Sequence, residues 1–121
     1  MKTDRELLEL AAKAAGLKVF WGWPSSTYQK HDRLYRSIPD LIMYDAPEWN
    51  PLTDDGDALR LAVKLRLECM YEATELGPCH CQFWIAGEGF KQVTEQLNDD
   101  PYAATRRAIT RAAAAIGEGM K

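Results

Sequence analysis

The run from Arg66 to Gln96 places the strongest constraint on the fold, because its apolar residues recur at every second position rather than at helical spacing. Breaks at Gly77-Pro78 and Gly87-Glu88-Gly89 divide the run into three alternating segments. In the first two segments, small or apolar residues occupy one side: Leu67, Cys69, Tyr71, Ala73, Cys79, Cys81, Phe83 and Ile85. Such alternation is typical of half-buried strands, so the run predicts an antiparallel meander whose third strand is Phe90 to Gln96.

The N-terminal part predicts one helix and two strands. Thr3, with a glutamate three residues later, forms a capping box, and Gly16 stands where a C-terminal cap belongs, so a helix is expected between them. Apolar residues then alternate from Leu17 to Trp23, which indicates a strand. Residues 25–40 are polar and predict a loop, and the apolar run 41–44 predicts a second strand.

Two further helices flank the meander. Residues 53–55 supply the N-terminal cap of the first of these helices. This helix ends near Leu65, because its continuation would place Arg66 on its apolar side. That side consists of Leu59, Leu61, Ala62, Val63 and Leu65. The last helix begins with Pro101, which follows two candidate capping aspartates, and ends at Gly117. Its shared face consists of Tyr102, Thr105, Ile109, Ala112, Ala113 and Ile116.

Together these elements predict an α+β fold in the order α-β-β-α-β-β-β-α. We expect a single sandwich-like α/β domain over residues 1–121, with an antiparallel sheet of three to five strands packed with three helices. The length suffices to bury a core without disulfides, and no internal repeat or low-complexity tract is present.

Charge and hydropathy narrow the functional classes. Lys plus Arg is 15 and Asp plus Glu is 18, and the resulting net charge of −3 excludes a broadly polybasic nucleic-acid coat but not a local basic patch. No apolar run approaches the roughly 18 residues of a membrane span, and the charged start of the chain is unlike a signal peptide, so no membrane contact is expected. Three cysteines form an odd set without a disulfide framework, which favours a reduced, cytoplasmic protein.

Three stretches of the chain resemble a known family. They run from Trp49 to Ala62, from Ala104 to Ala113 and from Asp4 to Gly16. Together they are similar to small proteins of tailed phages and prophages in the group described as the phage ABA-sandwich domain. The resemblance consists of helix-entry and packing patterns and covers most of the chain apart from residues 24–47. It implies an α/β sandwich and a phage accessory role in the host bacterial cytoplasm, and it supplies no catalytic residues.

The Cys79-His80-Cys81 triplet, which is not a feature of that family, comes closest to a metal or nucleophile motif. Zinc usually takes thiolates from a Cys-x₂₋₄-Cys knuckle, whereas these two cysteines face the same side of a strand and His80 faces the other. The same divergence keeps His80 from sharing a proton with either thiol. We therefore predict buried structural cysteines, and no metal, cofactor or catalytic residue.

Four tryptophans are many for a small domain, and each has a packing and a binding interpretation. Core packing is favoured for Trp21 and Trp49. Trp23 is less constrained, and Trp84 shares with His80 the strand side opposite the apolar one. If helices cover only one face of the sheet, Trp84 is exposed, so Trp23, Trp84 and His80 are the candidate contacts for a ligand or partner.

The last helix has a charge of +3 from Arg106, Arg107 and Arg111, and no acid lies between Pro101 and Ile116. Arg107 and Arg111 face solvent four residues apart, so they repel by about a few tenths of a kcal/mol unless an anion relieves them. The three arginines predict either a small anion or nucleic-acid contact or a solvated face, and the net negative charge favours the solvated face. Arg106 borders the apolar face, where it lies along the sheet or pairs with an acid.

These observations predict a non-enzymatic phage or prophage accessory protein that binds a host or phage protein. The alternative is a nucleic-acid-associated protein that uses the three arginines of the last helix. A small enzyme ranks third, since no nucleophile, base and orienting residue can be grouped from the sequence. No feature of the sequence specifies an oligomeric state.

Overall fold

The structure, a computed structural model, describes residues 2–22, 32–39, 46–72 and 77–120. Its α+β arrangement and its element order α-β-β-α-β-β-β-α are those predicted from the sequence. The elements are α1 Asp4–Ala15, β1 Val19–Trp21, β2 Leu34–Arg36, α2 Asp55–Leu65, β3 Glu68–Tyr71, β4 Cys79–Ile85, β5 Gly89–Glu95 and α3 Pro101–Glu118. Within the described ranges, no helix pairs the length with the apolar character that crossing a membrane requires.

The strands form two antiparallel sheets, β1-β2 and β3-β4-β5. In the larger sheet, Cys81 of the central strand lies between Cys69 of β3 and Val93 of β5. The β4 side chains alternate as predicted, with Cys79, Cys81 and Phe83 buried against the helices. We call this side of the sheet the inner face.

Helix α3 packs on the inner face against β4 and β5, and α1 packs against α3 through small side chains. The alanines at this contact are at most 3% exposed: Ala11, Ala12, Ala15, Ala108, Ala112, Ala113 and Ala114. Helix α2 packs against α3, and its N-cap Asp54 accepts a hydrogen bond from the backbone amide of Asp57. It ends at Leu65 as predicted, because Arg66 adopts the left-handed conformation (φ 57°) of a C-terminal cap.

The structure has a strand within the segment that was predicted to be a loop. Strand β2 lies at Leu34–Arg36, inside the segment predicted as a loop, and the predicted strand 41–44 lies outside the described residues. Long-range pairing explains the difference, since the amide of Arg36 donates to the carbonyl of Pro47 and the amide of Trp49 donates to the carbonyl of Leu34. Strand β2 has only three residues and lies between β1 and the segment that contains Pro47 and Trp49. Three residues are too few to show a period of two in the sequence.

Two helix faces and one helix end also differ from expectation. Leu59 and Val63 are each 64% exposed and Tyr102 is 71% exposed, although the first two were assigned to the apolar side of their helix and Tyr102 to the shared face of the last helix. The buried side of α2 consists of Ala58, Leu61 and Ala62, so Leu59 and Val63 lie outside the packed contact. Gly117 does not stop α3 but lies buried within it.

Candidate functional site

The face of the three-stranded sheet that points away from the helices is the main candidate site. Directly paired residues in an antiparallel sheet project to the same face, so the register assigns its members. This outer face consists of Glu68, Met70, His80, Gln82, Trp84, Phe90, Gln92 and Thr94. These side chains are exposed or half-buried, whereas α3 lies against the inner face.

An aromatic pair occupies the hairpin end of the outer face. Trp84 is 60% exposed and Phe90 on the neighbouring strand is 68% exposed. Their ring centroids lie 5.0 Å apart with an interplanar angle of 74°, which is a favourable edge-to-face arrangement. The expectation that Trp84 is exposed when helices cover one face is met, and the pairing adds Phe90, which was not singled out from the sequence.

Beside the aromatic pair, His80 is held by a network of side-chain hydrogen bonds. The side-chain amide of Gln92 donates to His80 Nδ1 at 3.1 Å, so the ring proton belongs on Nε2, which donates to Glu72 at 3.2 Å. The Thr94 hydroxyl lies 2.9 Å from Nδ1, and Gln82 donates to Gln92 at 3.2 Å. The polar groups of the outer face are thus already oriented toward one another.

The outer face is negatively charged along its β3 border. Glu68 belongs to the face, and Glu72, which follows β3, is in contact with it through His80. No lysine or arginine is among these outer-face side chains; Lys91 is paired with Phe83 and therefore belongs to the opposite side. An exposed aromatic pair beside oriented polar groups and two carboxylates suits the recognition of another surface.

The three cysteines lie on the inner face and His80 on the outer one, as the alternation predicted. Among the residues described, no three side chains of His, Cys, Asp or Glu are grouped so that they could hold a metal ion. Cys79 and Cys81 are fully buried, whereas Cys69 is half-buried. The thiols of Cys69 and Cys81 face each other at 3.7 Å between sulfur atoms.

The electrostatic environments of the cysteines differ. A hydrogen bond from the Cys81 thiol lowers the pKa of Cys69 to about 7. The same hydrogen bond and then burial raise the pKa of Cys81, and burial raises the pKa of Cys79. Cys69 is therefore the thiol that ionises first.

Cys69 also borders an apolar groove between α2, β3 and α3 that sequence reasoning missed. The groove has a volume of about 470 Å³, and its walls include Leu59, Val63, Tyr71 and Ile109. Leu59, Val63 and Tyr71 are exposed, with the Tyr71 hydroxyl 2.9 Å from the Thr105 hydroxyl. Helix α2 is apolar on two sides, and this sequence pattern could have indicated that one apolar side lines a groove.

The arginines of α3 are engaged by acids from other elements rather than free. Arg106 is only 17% exposed; its Nε donates to the carbonyl of Leu52 at 2.9 Å, and its guanidinium donates to Asp55 at 2.6 Å. This agrees with the expectation that Arg106 pairs with an acid.

Arg107 and Arg111 are both half-exposed and share one acid. Arg107 contacts Asp4 at 3.1 Å and Glu95 at 4.0 Å, and Arg111 forms an ion pair with Glu95. The anion that relieves their repulsion is therefore the Glu95 carboxylate at the end of β5.

The other tryptophans divide between core and edge. Trp49 is 4% exposed and belongs to the core, as expected. Trp21 is partly buried against the core; its indole nitrogen donates to Glu9 at 2.8 Å, and the Arg5 guanidinium lies 3.7 Å from its ring centroid. Trp23, the third candidate contact, lies outside the described residues.

Comparison with known proteins identifies no relative of this chain. No protein-family model, no curated protein sequence and no solved structure matches this chain.

Proposed function

We propose that the chain is a non-enzymatic binding module whose outer sheet face recognises another protein. The observation that carries this proposal is the exposed Trp84–Phe90 pair next to the oriented network around His80. Aromatic side chains are the commonest energetic anchors of protein interfaces, because they bury a large area at a low cost in conformational entropy. Side chains already held by hydrogen bonds lose less freedom on binding than free ones do.

The charge of the face favours a basic partner segment. Glu68 and Glu72 border the face, and no lysine or arginine is among the outer-face side chains that the structure describes. A lysine or arginine of the partner would find a carboxylate at this border, and a guanidinium also packs well against an exposed tryptophan ring. The proposed occupant is therefore a polypeptide segment that combines basic residues with at least one apolar side chain.

The same charges argue against nucleic acid at this face, because phosphates would meet carboxylates. The basic alternative, α3, has each arginine in an ion pair within the described chain: Arg106 with Asp55, Arg107 with Asp4 and Arg111 with Glu95. Association with nucleic acid thus remains an outcome to be tested rather than the preferred function.

The biological setting that we propose is that of a phage or prophage accessory protein in the host bacterial cytoplasm. Its basis is the resemblance of the helix-entry stretch Trp49 to Ala62 and of the α3 stretch Ala104 to Ala113 to the phage ABA-sandwich domain. The partner would then be a host or phage protein that presents a basic segment.

A random peptide library panned on the immobilised protein tests the binding proposal. We expect enrichment of peptides with lysine or arginine beside an apolar residue, and synthetic copies should bind about tenfold more weakly to Trp84→Ala. Glu72→Gln should weaken binding and reduce its salt dependence. Tyr102→Ala is the matched control, since Tyr102 is an exposed aromatic residue on α3, away from the outer face.

Equal binding by Trp84→Ala and the original protein would overturn the assignment of the outer face. A library that yields no enriched peptide would overturn the preference for a basic segment. A labelled single-stranded oligonucleotide, tried at low salt, would favour the nucleic-acid alternative if it bound and if Arg107→Ala abolished that binding.

A further inference from the structure

Cys69 and Cys81 lie directly opposite each other on β3 and β4. The amide of Glu72 donates to the carbonyl of Pro78, so 72 and 78 form a hydrogen-bonded pair. Such pairs alternate along an antiparallel ladder, which makes 69 and 81 a non-hydrogen-bonded pair with Cα atoms about 4.5 Å apart. That spacing lies within the range that a disulfide spans.

The side chains of Cys69 and Cys81 are also arranged suitably for a disulfide. Both sulfur atoms are on the inner face and are 3.7 Å apart, each being the other's hydrogen-bond partner. Cys79, two residues from Cys81 and on the same face, lies opposite Tyr71 instead of a cysteine. Only the 69–81 pair therefore has direct cross-strand geometry.

We propose that Cys69 and Cys81 are a reversible thiol–disulfide site that reacts with low-molecular-weight disulfides. The inference does not depend on the proposed binding function, because it uses the inner face and the groove rather than the outer face.

Exchange begins at Cys69, since Cys69 is half-buried at the apolar groove whereas Cys81 is fully buried. The Cys69 thiolate attacks one sulfur of the small disulfide, a Cys69–sulfur bond forms, and the bond within the small disulfide breaks. The leaving thiolate takes a proton from water. The product is a mixed disulfide at Cys69.

In the second step, the Cys81 sulfur attacks the Cys69 sulfur and displaces the second small thiolate, which receives the Cys81 proton. Two protein thiols thus lose two electrons and two protons, and the small disulfide is reduced to two small thiols. The lowered pKa of Cys69 supplies thiolate for the first step. Capping Cys69 removes the hydrogen bond that is the largest cause of the raised pKa of Cys81, so the second step becomes easier.

The test is incubation of the folded protein with oxidised glutathione, followed by alkylation of the remaining thiols and mass mapping. Trypsin leaves all three cysteines on one peptide, because no lysine or arginine lies between Arg66 and Lys91, and a glutamate-specific protease then separates Cys69 from Cys81 after Glu72. We expect an intact mass lower by two hydrogen atoms, with Cys69 joined to Cys81 and Cys79 alkylated. Reduced glutathione should reverse the change.

Variants identify the order of the steps. Cys81→Ser should stop at the glutathione adduct of Cys69, Cys69→Ser should react about tenfold more slowly, and Cys79→Ser should still close the disulfide. A stable adduct without closure in the original protein, a bond that includes Cys79, or reaction only after unfolding in urea would each overturn the proposal. If a variant does not fold, the disulfide mapping of the original protein is by itself sufficient to test the proposal.

Discussion

Gly117 of α3 lies against the backbone carbonyl of Leu10 in α1, so closely that an added Cβ would overlap the carbonyl oxygen and stand 2.9 Å from the carbonyl carbon. The obstacle is backbone rather than the end of a flexible side chain. This close approach lies within the alanine-rich contact between α1 and α3, and α3 also packs directly on the inner face of the sheet. A glycine at this position therefore sets the distance between the two helices.

Gly117→Ala should for that reason lower the free energy of unfolding by about 3 kcal/mol, since a side chain forced into a filled interface displaces backbone. Gly119→Ala is the control: its φ is −79°, and the nearest atom to an added Cβ is 3.6 Å away. We expect that variant to change stability by less than about 0.5 kcal/mol. Urea unfolding followed by circular dichroism measures both, and similar losses in the two variants would contradict the tight contact.

Gly117 also illustrates what the sequence could not predict. A glycine near the end of a helical pattern is most often a stop signal, and nothing local distinguishes it from a glycine required by another helix. Likewise, the acids that engage Arg107 and Arg111 come from α1 and β5, and helical spacing on α3 contains no information about them.

The features of the strands could be predicted where the local sequence alone determines them. A period of two fixes the face of each side chain, so the burial of Cys79 and Cys81 and the opposite orientation of His80 followed from alternation alone. The pairing of Trp84 with Phe90 did not follow from the sequence, because a loop at Gly87–Gly89 would set Trp84 opposite Gln92, whereas the loop is residues 86–88 and Gly89 already pairs with Ile85. The exposure of Leu59 could not be predicted from the sequence either, because it depends on which side of α2 contacts α3.

Asp57 is a further test of the fold, because its buried carboxylate joins the connector before α2 to that helix. Its Oδ2 accepts the backbone amide of Asn50 at 2.9 Å and its Oδ1 accepts the Arg60 guanidinium at 2.7 Å. Asp57→Ala should cost about 3 kcal/mol, since it removes charge-assisted hydrogen bonds and leaves a partly buried amide without its acceptor.

Arg60→Ala should cost less than about 1 kcal/mol, because the Arg60 side chain is 69% exposed and water replaces it readily. Thermal unfolding monitored by circular dichroism would show the difference between the two variants. A loss for Arg60→Ala as large as that for Asp57→Ala would mean that the ion pair, rather than the bond to Asn50, stabilises the connector.

The pKa of Cys69 predicts a pH dependence of thiol alkylation. The thiolate is the reactive form, so lowering the pKa from its ordinary value of 9.0 to about 7 should move the half-maximal rate of Cys69 alkylation down to about pH 7. Iodoacetamide reaction rates, measured by peptide mass across the pH range, check this. Reactivity should decline as pH falls below 7 and level off above about pH 8.

Removing the donor reverses the effect. Cys81→Ala should return the midpoint for Cys69 toward its ordinary value, because the hydrogen bond from Cys81 is the cause of the lowered pKa. Cys79→Ala is the control and should leave the midpoint unchanged. A midpoint near pH 9 in the original protein would show that the two thiols do not share a hydrogen bond.

The last prediction concerns the acid that neutralises the arginine pair of α3. Glu95 is 22% exposed and contacts both Arg107 and Arg111, so Glu95→Gln leaves two cations four residues apart with less compensation. Repulsion should lower stability by about 0.5 to 1 kcal/mol at low salt, and the loss should shrink as salt increases. The freed guanidinium groups should also bind a polyanion better, so the variant should elute from heparin at a higher salt concentration than the original protein.

Glu88→Gln makes the same change in net charge at the hairpin loop, where Glu88 contacts Lys91 at 3.7 Å. It therefore separates a general effect of net charge from a local effect at α3. We expect Glu88→Gln to elute close to the original protein and clearly before Glu95→Gln. Identical elution of the two variants would show that Glu95 does not shield the arginines, and the basic side of α3 would then have to be considered available to anionic partners.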